Sequence, residues 1–231
     1  KESLRLLHSV ELSCQICCEG LHAKRPLKQS YSNERGGPRR NRQNDGGSYG
    51  DNSIMVWNCS NHELITTLSV PEEHDEEGEY EGHTNTVWCL TINDGKLYSG
   101  SFDKTIKVWD CSTNKLITTL TEPTRAVYRL LTHGGKLYSS SGDNSIKVYD
   151  CSDDTLITTL KDHTFYVTCL EIHDGKLYTG SFDKTINVYD CSDDSLITTL
   201  RGHTIGVYDL TFQNGKLYSR QYGGAIYIWQ L

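Results

Sequence analysis

From residue 85 onward, apolar and polar residues alternate in short runs. "NTVWCLTI" (85–92) alternates with a period of two, and "KLYSGS" (96–101), "TIKVWD" (105–110) and "KLITTL" (115–120) follow, all rich in β-branched and aromatic residues. Successive side chains on a strand point to opposite faces, so these runs predict four short strands. The breaks between them fit: "NDG" at 93–95 is a hairpin-turn signal and "FDK" at 102–104 a tight turn. No stretch of helical length carries a 3.6-residue period, and the body is therefore predicted to be all-β.

The pattern then repeats. "GKLYS" begins at Gly95, Gly135 and Gly215, and "GKLYT" at Gly175, always 40 residues apart. "LITTL" ends at Leu68, Leu120, Leu160 and Leu200, and its first interval is longer, at 52, because "SVPEEHDEEGEYE" (69–81) is inserted. A fixed period near 40 dictates architecture before any single residue does.

Within each period polar residues recur in register. Gly82-His83 stands 27 residues ahead of Trp109-Asp110, with Asp103 in the turn between them. This arrangement resembles the WD-repeat family of β-propellers over residues 46–231. The resemblance implies a ring of four-stranded blades that serves as a protein-interaction scaffold. It also implies a hydrogen-bonded relay within each blade. One relay would use His83, Ser99 or Ser101, Asp103 and Trp109; the next would use His163, Thr179 or Ser181, Asp183 and Tyr189. Both serine choices stay open because residues two apart share a strand face. Two blades are incomplete: Pro123 takes the histidine position ahead of Asp143, and the last blade keeps His203 and Trp229 but has Gly223 for the aspartate. A buried relay lacking one partner risks an unsatisfied polar group, so unequal blades are predicted. A His, an Asp and a Ser together invite a catalytic-triad reading, but a constellation repeated every 40 residues is architectural, and no enzyme activity is expected.

Third strands end at Trp57, Trp109, Tyr149, Tyr189 and Trp229, which predicts an open or incomplete propeller of about five blades. The first blade reads as damaged: "DGGSYGDNSI" (45–54) resembles "HGGKLYSSSGDNSI" (133–146) with four residues removed. "SLRLLHSV" (3–10) is the candidate strand for closing the ring. Residues 1–45 read as a disordered basic segment, with nine Lys/Arg against five acids in a chain of net charge −7. Within it, Cys14, Cys17, Cys18 and His22 resemble the start of a RING finger. A RING needs eight ligands for two zinc ions, and the following cysteine is Cys59, so the reading is a tail or a degenerate remnant, with no cofactor expected.

Composition narrows the function further. The acidic body argues against nucleic acid, and no apolar run reaches the roughly 20 residues of a membrane span. The chain opens on Lys1 with no signal-peptide pattern, so its nine cysteines read as reduced cytoplasmic thiols. Cys59, Cys111, Cys151 and Cys191 fall on separate blades, and Cys89 and Cys169 take core positions.

In the WD-repeat family, partners dock where the loops into the first strands meet the turns between strands two and three. That maps here onto Trp88, Tyr128, Tyr166 and Tyr208, with Phe102, Phe182 and Tyr222 at the turns and Arg125 and Arg201 nearby. The expected partner is a peptide or protein, and self-association follows if the propeller is open. The alternative is the substrate-recognition part of a RING-type ubiquitin ligase. Lys104 and Cys111 read as ordinary turn and strand-end residues.

Overall fold

The computed structural model describes residues 16–18, 21–24, 52–69 and 82–230. Its described residues build nineteen strands and no helix, arranged as five antiparallel sheets.

The second sheet shows the plan. β5 (Val87–Asn93), β6 (Lys96–Ser101), β7 (Ile106–Asp110) and β8 (Leu116–Leu120) pair in chain order. Asp94 and Gly95 join β5 to β6, both at positive φ (46° and 72°), the geometry of a two-residue hairpin whose twist matches the strands. The third sheet holds β9 (Val127–His133), β10 (Lys136–Ser141), β11 (Ile146–Asp150) and β12 (Leu156–Leu160). The fourth holds β13 (Val167–His173), β14 (Lys176–Ser181), β15 (Thr185–Asp190) and β16 (Leu196–Arg201). The fifth has three described strands, β17 (Val207–Gln213), β18 (Lys216–Gln221) and β19 (Ile226–Gln230).

The first sheet differs from the expected one. β3 (Ile54–Asn58) and β4 (Leu64–Leu68) follow the pattern, but β3 pairs with β2 (Leu21–Lys24), which pairs in turn with β1 (Ile16–Cys18). The inner half of this blade thus comes from upstream of the boundary expected at residue 46. The strand-closure candidate 3–10, Cys14 and the acidic insertion lie outside the described residues. Cys17 and His22 are register partners on β1 and β2, and no metal-holding cluster occurs among the described residues.

The core lies between blades. Each inner strand packs on the next one along, β1 on β5, β5 on β9, β9 on β13 and β13 on β17. Tyr98, Ile106 and Val108 of one blade bury against Val127, Leu137 and Tyr149 of its neighbour, and the other interfaces repeat this. Close approach needs a missing side chain at Gly100, where a Cβ would lie 2.5 Å from Val127 and 2.7 Å from Cys89. No sheet contains strands from both the first and last blades, so the described residues form an open arc.

A second inter-blade device carried no sequence expectation. Lys96 Nζ donates to the Cys151 carbonyl (2.9 Å) and to Asp154 Oδ2 (2.8 Å), while Tyr98 Oη donates to Asp154 Oδ1 (3.0 Å). One blade on, Lys136 and Tyr138 hold the Cys191 carbonyl and Asp194 in the same way. Each latch joins the second strand of a blade to the turn after the third strand of the next.

Candidate functional site

Two groups of residues were expected to matter, the buried relays and the aromatic face. The complete relay belongs to the second blade. His83 Nδ1 donates to Asp103 Oδ2 (2.7 Å), Ser99 Oγ donates to His83 Nε2 (2.7 Å), and Trp109 Nε1 donates to Ser99 Oγ (2.9 Å), a direction set by every donor finding an acceptor. Ser101 stands outside the relay: its hydroxyl donates to the Asn85 carbonyl and accepts from the Asp103 amide. Burial would raise the Asp103 pKa, but hydrogen bonds from His83 and Thr105 more than offset it and hold the carboxyl at about 2.

In the fourth blade His163 joins Asp183 and Thr179, both at 2.8 Å, and Ser181 again serves the turn. Tyr189 departs from the expectation. Its hydroxyl points to Asp162 Oδ2 (3.2 Å) and accepts from Asn187, so it leaves the relay for the adjacent loop. A phenol is longer than an indole and carries its donor at the tip, beyond the threonine.

The third blade shows the cost of Pro123. Lys147 takes the place of the imidazole, pairing with Asp143, and Ser145 Oγ and the Thr124 amide complete the carboxylate's shell. Despite burial, these partners lower the Asp143 pKa to about 2. No partner reaches Ser139 Oγ, which holds the relay-serine position and is fully buried. In the fifth blade His203 and Trp229 both bind Ser219 at 2.7 Å, and Gln221 Oε1 stands 3.4 Å from His203 Nδ1 in place of the absent carboxylate. The relay histidines, serines and threonine are buried, and apart from Ser139 Oγ their side chains find partners within their own blade, an arrangement that holds strands together.

The aromatic face is built by bulges. In β5 the register jumps between Val87 and Cys89, leaving Trp88 as the extra residue, and the same shift isolates Tyr128, Thr168 and Tyr208. A bulge re-aims the unpaired side chain, here toward the turns that carry Phe102, Phe182 and Tyr222. The rings then form one track across four blades. Trp88 lies 5.7 Å from Phe102, Phe102 6.2 Å from Tyr128, and Tyr128 6.4 Å from Tyr166. Tyr166 meets Phe165 at 4.4 Å, Phe165 meets Phe182 at 6.5 Å, Phe182 meets Tyr222 at 6.0 Å, and Tyr222 meets Tyr208 at 6.4 Å.

Phe165 was missed in the sequence. The fourth blade has Thr168 at the bulge, its hydroxyl donating to the Val207 carbonyl at 2.6 Å, and Phe165 with Tyr166 bridges the gap that results. The signal was two adjacent aromatics where the other repeats have Asn85-Thr86, Arg125-Ala126 and Ile205-Gly206. Gly206 serves the same track, since a Cβ there would strike Phe182 at 2.8 Å. The face is open to solvent: Trp88 is 37% exposed, Phe102 41%, Phe165 46% and Tyr222 60%. Arg220 lies over Tyr208 at 4.7 Å and pairs with Asp209 at 3.6 Å. Arg201 ends β16, on the outer strand of its blade.

Comparison with known proteins agrees with this geometry. The WD domain, G-beta repeat model matches residues 75–110, 114–150 and 154–190, just under half of the chain, and three consecutive repeats support a WD-repeat family. A zinc finger CCCH domain-containing protein 62 of Arabidopsis thaliana is 41% identical over 68 residues, 29% of this chain and 15% of that protein. A probable E3 ubiquitin ligase complex SCF subunit sconB of Arthroderma benhamiae is 54% identical over 41 residues, 18% of this chain and 6% of that one. The chain thus spans only a small part of the relatives it matches. Among solved structures, the computationally designed Ika8 protein superposes with a TM-score of 0.67 at 24% identity, covering 78% of this chain and 53% of its own. U3-55K gives 0.66 at 24% identity, covering 78% and 55%. These likenesses establish the fold, an all-β WD-repeat propeller architecture.

Proposed function

We propose, from three WD repeats in a row, that this chain is a non-enzymatic scaffold of the cytoplasm that binds a peptide or protein on its aromatic face. The observation that carries the reading is the unbroken track from Trp88 to Tyr208, with its outer rings in solvent. Aromatic side chains supply large contact area at low entropic cost and dominate interface energetics. They are also too exposed here for inter-blade packing to be their whole role. The test is to pan a random displayed-peptide library over the intact chain and over a Trp88→Ala/Tyr208→Ala variant whose circular dichroism is unchanged. Enriched peptides should bind the first and lose the second; equal retention would remove the face from consideration.

The likeness to an SCF ubiquitin ligase subunit favours a second reading, the substrate-recognition part of a ubiquitin ligase. Its RING-type version requires about two zinc ions per chain. Metal analysis of purified protein decides that point.

A further inference from the structure

We propose that the aromatic track takes an acidic peptide, its carboxylates meeting Lys104, Arg125 and Lys184 while its apolar side chains seat on the rings. This rests on the scaffold reading above and names the chemistry of its partner.

The first support is the way charge is sorted at this face. Each FDK or GDN turn contains an aspartate, but Asp103, Asp143 and Asp183 are turned inward, with side chains only 6%, 10% and 8% exposed. Their charge is spent on His83, Lys147 and His163. The nearby cations stay outside: Lys104 and Lys184 of the FDK turns and Arg125 of the loop entering β9 are exposed and make no ion pair among the described residues. On a chain of net charge −7, these three side chains put exposed positive charge beside the rings.

The second support is conformational. Lys104 and Lys184 hold φ of 72° and 75°, in the left-handed region, where the equivalent turns use Asn144 and Gly224. A lysine is poorly suited to that backbone and gains nothing from its own side chain there, so folding alone favours glycine or asparagine. Two cations kept at strained turns, each two residues past an aromatic ring of the track, point to what the face must meet. Arg125 adds a third: it lies near enough to Tyr128 for its charge to oppose the upward push that burial and Tyr166 give the phenol.

Rings with cations also suit single-stranded nucleic acid, but three cations against the chain's net charge of −7 are few for a phosphate polymer. An acidic peptide needs only a few pairs and supplies its own apolar anchors.

The experiment uses the full chain and three fluorescein-labelled libraries of about 12 residues, roughly 40 Å when extended. They share apolar and aromatic positions and differ at the rest, filled with Asp/Glu, with Asn/Gln or with Lys/Arg. By fluorescence anisotropy the Asp/Glu library should bind about tenfold tighter than the Asn/Gln one, and the gap should shrink between about 50 and about 300 mM salt. A Lys104→Gly/Lys184→Gly variant should lose most of that gap while its melting temperature holds or rises, which separates a binding role from a structural one.

Equal affinity for the Asp/Glu and Asn/Gln libraries overturns the proposal, as does an undiminished gap in the variant. If Asn/Gln peptides bind as well as acidic ones and are lost in Trp88→Ala/Tyr208→Ala, the acidic partner is refuted and the scaffold reading survives. If no library binds, both fall. A labelled uridine 12-mer that binds more tightly than the acidic library would assign the face to single-stranded RNA instead.

Discussion

His83→Ala should weaken the second blade far more than His203→Ala weakens the fifth. Both histidines are buried and both reach a serine at 2.7 Å, but His83 also donates to a carboxylate at 2.7 Å, whereas His203 faces a neutral amide at 3.4 Å. A neutral hydrogen bond contributes about 1 kcal/mol and one to a charged group about 1.5 to 3. Deleting His83 also strands Asp103, whose side chain is only 6% exposed, so about 3 kcal/mol is expected. His203→Ala should cost about 1 to 2 kcal/mol, since it leaves no buried charge behind. For a chain of this size the first loss lowers the melting temperature by about 6 to 12 °C. Because repeats unfold in pieces, amide hydrogen exchange resolved by blade is the sharper assay, with protection lost over β5–β7.

The acid dependence follows with its sign. Asp103 is held at about 2, below the usual carboxylate range, so its stabilising contribution is full above about pH 4 and is lost as pH falls toward 2. The gap between wild type and His83→Ala should narrow over that window toward what the Ser99 bond alone contributes. Equal losses for the two histidine variants, or a gap that does not narrow as pH falls toward 2, would refute the relay energetics.

Gly100→Ala should destabilise by about 1 to 3 kcal/mol through a clash with Val127 and Cys89, seen as a lower denaturation midpoint; an unchanged midpoint would mean the blades separate freely there. Asp154→Ala should cost about 3 kcal/mol by leaving Lys96 and the buried Tyr98 hydroxyl only the Cys151 carbonyl to share, and chemical denaturation should show Asp194→Ala behaving alike.

Some features were legible because they are local. Alternation, turn dipeptides and the 40-residue period place the strands, and the hairpin at Asp94-Gly95 needs only positive φ at two residues. Which serine enters the relay was not legible, since Ser99 and Ser101 share a strand face and only the neighbouring loop separates them. Tyr189 likewise looked like a substitute for tryptophan until its longer reach carried it to Asp162. The latches span 55 to 58 residues and join blades whose approach no single repeat encodes.

The chain by itself determined the blade: a strand pattern of period two, its turns and the residues able to build a relay, all set by local geometry. Tertiary structure decided everything between blades. The arc recruits β1 and β2 from before residue 46, packs the side-chain-free Gly100 and Gly180 against the next blade, and gathers bulged aromatics from three blades and loop aromatics from the fourth into one surface. Those outcomes depend on packing between distant repeats, where burial of apolar surface outweighs local preference.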